Sequence, residues 1–386
     1  MKKTLLSVIR KIKRSHKNNY KDHGVLFNIN FDASTSQKRV LFIYLNYLNF
    51  NSNLNSIYHT SVIESSLIIK SLSEMSFVID VVNCYANPSI VRELIGDCEY
   101  DIIFGFGPIF YMACSMFPNA KKILYVTEGE PQFSECRERE RGDYYYFRHK
   151  ETVALRRSGL YYEKPHFDCA DALVVLGDTE QFIQYNIKMY SICPTGLINH
   201  SFTRDRISVR DDSNVNFLWL GSSGVVHKGL DILVEVFEKN NRNAILHVCG
   251  VSPIEKKLIK SIFNGKVIFH EKINIASDGF IKLVSDCDFI ISLSCSEAMS
   301  TGVLTGMLHG LYPVVLQDSG LNKLKGNCIF MTSFLLDDVE NVLSNLCQFS
   351  NMDIYAMKLD AFDFSRSKFV PAVFKQDINN VLRDLL

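Results

Sequence analysis

Short continuous apolar runs recur along the chain, separated by stretches with helical spacing. The first is Arg39–Asn46 (RVLFIYLN), the kind of run a strand shows when both faces of a parallel sheet are covered. Helical spacing follows over about 61–75, and then come strands Phe77–Asn83, Asp101–Phe106, Lys122–Val126 and Ala172–Leu176, with helical or turn segments between them. A second series opens at Asn216–Leu220 (NFLWL). It continues with a helix over about 228–239, strands Ala244–Cys249 and Val267–Phe269, a helix over about 277–287, strand Phe289–Leu293, a helix over about 302–309 and strand Tyr312–Leu316. Steady alternation of strand and helix predicts right-handed βαβ units and doubly wound α/β sheets.

The pattern breaks in three places. Residues 23–38 are polar and aperiodic and read as a linker. Between Thr127 and Asp168 the chain turns charged and rich in tyrosine, a long insertion after a strand's carboxyl end, which in a regular α/β domain marks a functional loop. Its arginines at 137, 139, 141, 156 and 157 alternate with glutamates and read as a solvated helical face, and Tyr144–Tyr146 as loop packing. The polar stretch Thr203–Asn214 has the composition of an interdomain linker. The expected division is an arm and linker over 1–38, a first Rossmann-like domain over 39–205, a second over 206–370 and a terminal helix over 371–386.

Composition narrows the class. A chain of 386 residues with 47% apolar and 22% charged residues is globular and long enough for two domains. Lys+Arg and Asp+Glu both number 42, so no global charge argues for nucleic acid. The exception is local: residues 1–21 hold eight Lys or Arg and no acid, interleaved with Leu5, Leu6, Val8, Ile9 and Ile12. Leu5–Ile9 is too short for the apolar core of a signal peptide, and no apolar stretch is long enough to span a bilayer. A cytoplasmic protein is expected, with two readings of the arm open: a peripheral anchor on an anionic membrane surface, or a solubilising tail. The 11 cysteines are scattered without CxxC spacing and read as reduced thiols.

Two segments carry candidate chemistry. In Leu220–Gly229 (LGSSGVVHKG) a strand end meets a helix start. Gly221 and Gly224 allow close backbone approach, Ser222 and Ser223 are small donors, and Lys228 adds a full charge beside a helix N-terminus. This describes a diphosphate cradle, against the plainer reading of a loop with a solvated lysine. The second segment, Ile291–Val315, places Ser296 and Glu297 after a buried strand and Ser300 or Thr301 as the cap of a helix containing Gly302. Ligands of open α/β sheets bind beyond the strands' carboxyl ends, which puts Glu297 and the 300–302 amides at the same crevice as Lys228. A carboxylate there suits the hydroxyls of a sugar.

On these residues, with KGLDILVEVF, the strand–Ser–Glu turn and HGLYPVV, residues 215–320 resemble the donor-binding domain of the large retaining glycosyltransferase group with the GT-B fold. The resemblance implies two facing Rossmann-like domains with the active site between them. It implies Lys228 on the donor diphosphate and Glu297, first of a Glu-x7-Glu pair, on the donor sugar. The second glutamate, which holds the ribose, is here Thr305. The first half resembles the acceptor side more loosely: His59 and Glu64 open its first helix, and YVTEGEP (Tyr125–Pro131) ends a strand, with Glu128 and Glu130 expected at the cleft. His59 is the nearest candidate for the group's cleft histidine, or else a helix cap.

The expected function is transfer of a sugar from a UDP- or GDP-sugar to a hydroxyl acceptor, a lipid-linked oligosaccharide of surface polysaccharide synthesis being the leading candidate. Lys228, Glu297, His59 and Glu128 are the expected catalytic residues. No cofactor beyond the donor and no metal is expected, since preorganised amides and a lysine stabilise the leaving diphosphate. His227 and His309 have no metal-ligand spacing to a carboxylate or cysteine. A nucleotide-sugar epimerase of the same shape and a catalytically inactive relative are the alternatives.

Overall fold

In a computed structural model, the described residues are 23–30, 32, 37–45, 59–154, 157, 159–210, 213–239, 243–260, 264–317 and 319–386. The basic arm therefore lies outside them. The chain divides into two units, one of residues 1–127, 159–192 and 374–386, the other of 128–158 and 193–373.

The first unit is built on seven strands: β1 (Val25–Ile29), β2 (Arg39–Tyr44), β3 (Val78–Asn83), β4 (Ile102–Gly105), β5 (Lys121–Val126), β6 (Ala172–Leu176) and β7 (Lys188–Ile192). Their order is β1-β3-β2-β4-β5-β6-β7. All neighbours are parallel except β1, which runs antiparallel on β3. The central strands are buried along their length, as their unbroken apolar runs require. β1 corrects the reading of 23–38 as linker: Val25 and Phe27 are buried on the sheet edge, and two alternating positions are too few to rise above a polar background. The terminal helix Pro371–Leu385 forms as expected. From Phe374 it belongs to this unit, with Lys375 on Glu74 and Asp384 on Lys188.

The second unit carries β8 (Val215–Leu220), β9 (Ala244–Cys249), β10 (Val267–His270), β11 (Phe289–Ser292), β12 (Tyr312–Leu316) and β13 (Ile329–Met331), in the order β10-β9-β8-β11-β12-β13 and parallel throughout. The chain winds outward one way from β8 and the other way from β11. The topological switch point thus falls between these two paired central strands, where ligands of such sheets bind. Helices Leu336–Leu346 and Asn351–Lys368, not expected from periodicity, complete the layer.

The insertion forms a helix, Pro131–His149. It lies in the second unit, whereas the sequence division placed it in the first domain. Ser134, Glu138, Arg141 and Tyr145 are buried at steps of four, three and four, which is one helical face. Tyr145 joins the core around Phe217, Leu230 and Leu293. The expectation of a solvated face is corrected at Arg141: its guanidinium is fully enclosed and donates to the carbonyls of Leu293 at 2.8 Å and Val226 at 3.3 Å. The face is buried through hydrogen bonds, so it has no apolar period to read.

Candidate active site

The site gathers where β8 and β11 end. After Leu220 the chain makes a turn closed by three backbone bonds: Lys228 N–H to the Gly224 carbonyl (2.8 Å), Gly229 N–H to Val226 (3.1 Å) and Leu230 N–H to Val225 (2.9 Å). Lys228 therefore sits in the turn that precedes the helix Leu230–Lys239, rather than opening that helix. Gly229 is at φ +66°, and a Cβ there would come within 2.5 Å of both the Arg141 guanidinium and the Leu293 side chain. On the other side, β11 ends at Ser292 and leads through Ser294–Ser296 to Glu297. The next helix, Thr301–Met307, begins with Ser300 as its cap residue. Gly302 lets that helix approach β8: a Cβ would fall 2.5 Å from the Leu220 carbonyl.

Lys228 Nζ donates to Glu297 Oε1 at 2.6 Å, and the Ser294 hydroxyl donates to the same oxygen at 2.9 Å. Glu297 is 7% exposed. Burial pushes its carboxyl upward, but the charges of Lys228, Arg157 and His227 outweigh it and hold the group well below the usual range. Glu128 answers differently. Burial raises its pKa, Arg157 opposes through a 2.6 Å contact, and Glu297 raises it further. Two carboxyls that influence each other are thus pushed apart in acidity, which is how one site holds an ionised and a more readily protonated group.

His227 ties the two loops together. Its Nδ1 is 2.7 Å from Glu138 Oε1 and its Nε2 is 2.7 Å from the Ser296 carbonyl, while the Cys295 N–H donates to the His227 carbonyl at 3.0 Å. Both ring nitrogens face acceptors, so both carry protons and the ring is an imidazolium. Burial lowers its pKa, but the contacts of Nδ1 with the Cys295 sulfur at 3.5 Å and with Glu138 more than offset this and lift it to about 9.

The structure brings some of the sequence-selected residues together and disperses others. Lys228, Ser296, Glu297 and Glu128 share one network in the second unit. Gly221, Ser222, Ser223 and Gly224 form the loop after β8, but the amides of Gly224 and Val225 are already donated to the carboxylate of Glu255 at 2.9 and 3.2 Å. Thr305 is buried, donating to the Thr301 carbonyl at 2.8 Å and accepting from the Leu197 N–H at 3.0 Å. His59 belongs to the first unit, where its Nδ1 accepts from the Ser61 amide and caps the helix Thr60–Glu74. Glu130 is likewise a cap, accepting from the Phe133 amide at 2.7 Å. Sequence reasoning missed Glu138, Arg157 and Glu255. The alternating charges of the insertion were the only signal for the first two. Beside the β8 loop, a cavity of about 160 Å³ is lined by residues including Glu138, Arg141, Val153, His227, Glu255 and Leu258.

Taken with its two sheets, parallel throughout except for the edge strand β1, the fold is that of the GT-B glycosyltransferases. Anabaena HepE, solved with UDP-glucose, is 13% identical and matches over 90% of this chain and 99% of its own, with a TM-score of 0.59. Sucrose-phosphate synthase from Thermosynechococcus elongatus is 11% identical, over 90% of this chain and 99% of its own, with a TM-score of 0.61. A glycosyltransferase from Rickettsia africae is 12% identical, over 91% and 99%, with a TM-score of 0.56. No protein-family model and no curated protein matches the sequence.

Proposed function

We propose that the protein is a glycosyltransferase that moves a sugar from a nucleotide-sugar donor, UDP-linked in preference to GDP-linked, to a hydroxyl acceptor. The observation that carries this reading is the Lys228–Glu297 pair at the switch point of the second sheet. In the proposed reaction the donor diphosphate displaces Glu297 from the lysine. The freed ammonium neutralises the charge that builds on the leaving diphosphate, helped by the His227 imidazolium behind it. Glu297 then accepts hydrogen bonds from donor-sugar hydroxyls. The exposed Ser222 and Ser223, the loop glycines Gly221 and Gly224, and Ser300, Thr301 and Gly302 are proposed to flank the nucleotide. Glu128 supplies a second carboxyl, and transfer proceeds without a metal and with retention. The likeness to HepE, solved with UDP-glucose, supports the donor class.

The acceptor is proposed to be a lipid-linked oligosaccharide, with residues 1–21 resting on an anionic membrane surface. Among the described residues no helix is long and apolar enough to cross a membrane. Deleting residues 1–21 should abolish salt-sensitive sedimentation with anionic vesicles, and identical partitioning of full-length and truncated protein would reduce the arm to a tail.

The direct test is incubation with radiolabelled UDP- and GDP-sugars. Transfer to acceptor supports the proposal, and epimer formation replaces it with the epimerase reading. Nucleotide binding without either favours an inactive relative, a second reading for which Thr305, bonded internally where the resemblance expects a glutamate, is the specific observation.

A further inference from the structure

We infer that Glu138 and His227 are positioning residues, through which the insertion helix locks the Lys228 loop to the Glu297 loop. The inference rests on the donor-site reading for its consequence, though not for its geometry. Three connections converge. Glu138 bonds the His227 ring, and the ring's other nitrogen bonds the Ser296 carbonyl, one residue before Glu297. The Ser134 hydroxyl, one turn earlier on the helix, pairs with the Ser296 hydroxyl. Glu138 also accepts the backbone N–H of Arg157, at 3.2 and 3.3 Å to its two oxygens, so the Glu128 partner is fixed from the same point.

His227 is followed directly by Lys228, and Ser296 by Glu297. The imidazolium is thus a rigid cross-brace one residue behind each half of the reactive pair. Such a brace keeps the lysine and carboxylate at a set separation before the donor arrives, which is the preorganisation that catalysis by fixed charges requires. Around the ring the charged and titratable groups are Glu138 and Arg141 from the insertion helix, Cys295 and Glu297 from the β11 loop, Lys228 next in sequence, and Glu128 and Arg157 flanking the insertion. Because the ring is charged below about pH 9, the brace is held through neutrality and released as pH rises past that value.

Hydrogen exchange on the full chain tests this without any ligand. In Glu138→Gln the amides of Lys228 and Cys295 should exchange about tenfold faster while strands β8 and β11 keep their protection. In the native protein these two amides should lose protection as pH passes about 9, beyond the intrinsic rise of exchange, and in Glu138→Gln the loss should begin at lower pH. His227→Gln, should Glu138→Gln fold poorly, should show the faster exchange at every pH. Unchanged exchange at the two loops, acceleration spread evenly over the second unit, or an identical pH midpoint in native protein and Glu138→Gln would each overturn the assignment. Calorimetry with UDP then measures the consequence: Glu138→Gln should bind about tenfold more weakly. A native protein that binds neither UDP nor GDP refutes the donor site, and the exchange data still judge the brace.

Discussion

The Lys228 ammonium lies 2.6 Å from the Glu297 carboxylate, joining the turn after β8 to the loop after β11. Both side chains are largely enclosed, so each solves the other's desolvation, and a ligand that takes one must release the other.

Breaking the pair from one side should therefore cost more than removing it whole. Lys228→Ala leaves a buried carboxylate and should destabilise by about 3 kcal/mol in urea titration, whereas Lys228→Met with Glu297→Gln should cost less than that single change. The penalty of Lys228→Ala should shrink on acidification, because burial raises the carboxyl's pKa once the lysine charge that held it down is gone and the abandoned group then takes up a proton. A double variant less stable than Lys228→Ala would contradict this account. In transfer assays Lys228→Ala should lower kcat/KM by about 10- to 100-fold, the worth of a charge-assisted phosphate contact.

Glu297→Gln separates sugar from nucleotide. If the carboxylate reads donor-sugar hydroxyls, transfer should fall about tenfold or more while affinity for free UDP stays the same or rises, because the lysine is no longer held. Equal loss of UDP affinity would reassign Glu297 to the ribose or base.

Gly229→Ala tests the turn that aims Lys228. The positive φ disfavours any L side chain, and the new methyl meets Arg141 and Leu293 at 2.5 Å. A loss of about 2–4 kcal/mol is expected by denaturant titration. A neutral result would show that the turn repacks freely.

His309 should set part of the acid limb of stability. Its Nε2 accepts the Asn199 N–H at 3.0 Å and its Nδ1 is 2.7 Å from the Thr305 carbonyl, so the folded state holds the neutral Nδ1–H tautomer. Burial lowers its pKa to about 4 from an ordinary 6.5. The unfolded chain takes up the proton first, so stability contributed by this group falls as pH drops from about 6.5 to about 4. His309→Gln should be less stable at neutrality but show a shallower fall of Tm over that window. A slope unchanged by the substitution would remove His309 from the acid response.

What the sequence determined by itself was everything written in apolar periodicity and glycine placement. The buried runs at 172–176 and 312–316 coincide with strands β6 and β12, because a strand covered on both faces reads as an unbroken apolar run. That the 224–229 turn and the Ser296–Glu297 loop follow strand ends was legible for the same reason. Tertiary structure alone decided three things. It paired β8 with β11, strands about 70 residues apart in sequence that only the sheet brings together. It gave the insertion helix to the second unit, through Glu138, Arg141 and Tyr145. It also made His227 an imidazolium by facing both nitrogens with acceptors. A helix buried by charges and hydrogen bonds has the composition of an exposed one. Its burial is a property of its partners, and those lie elsewhere in the chain.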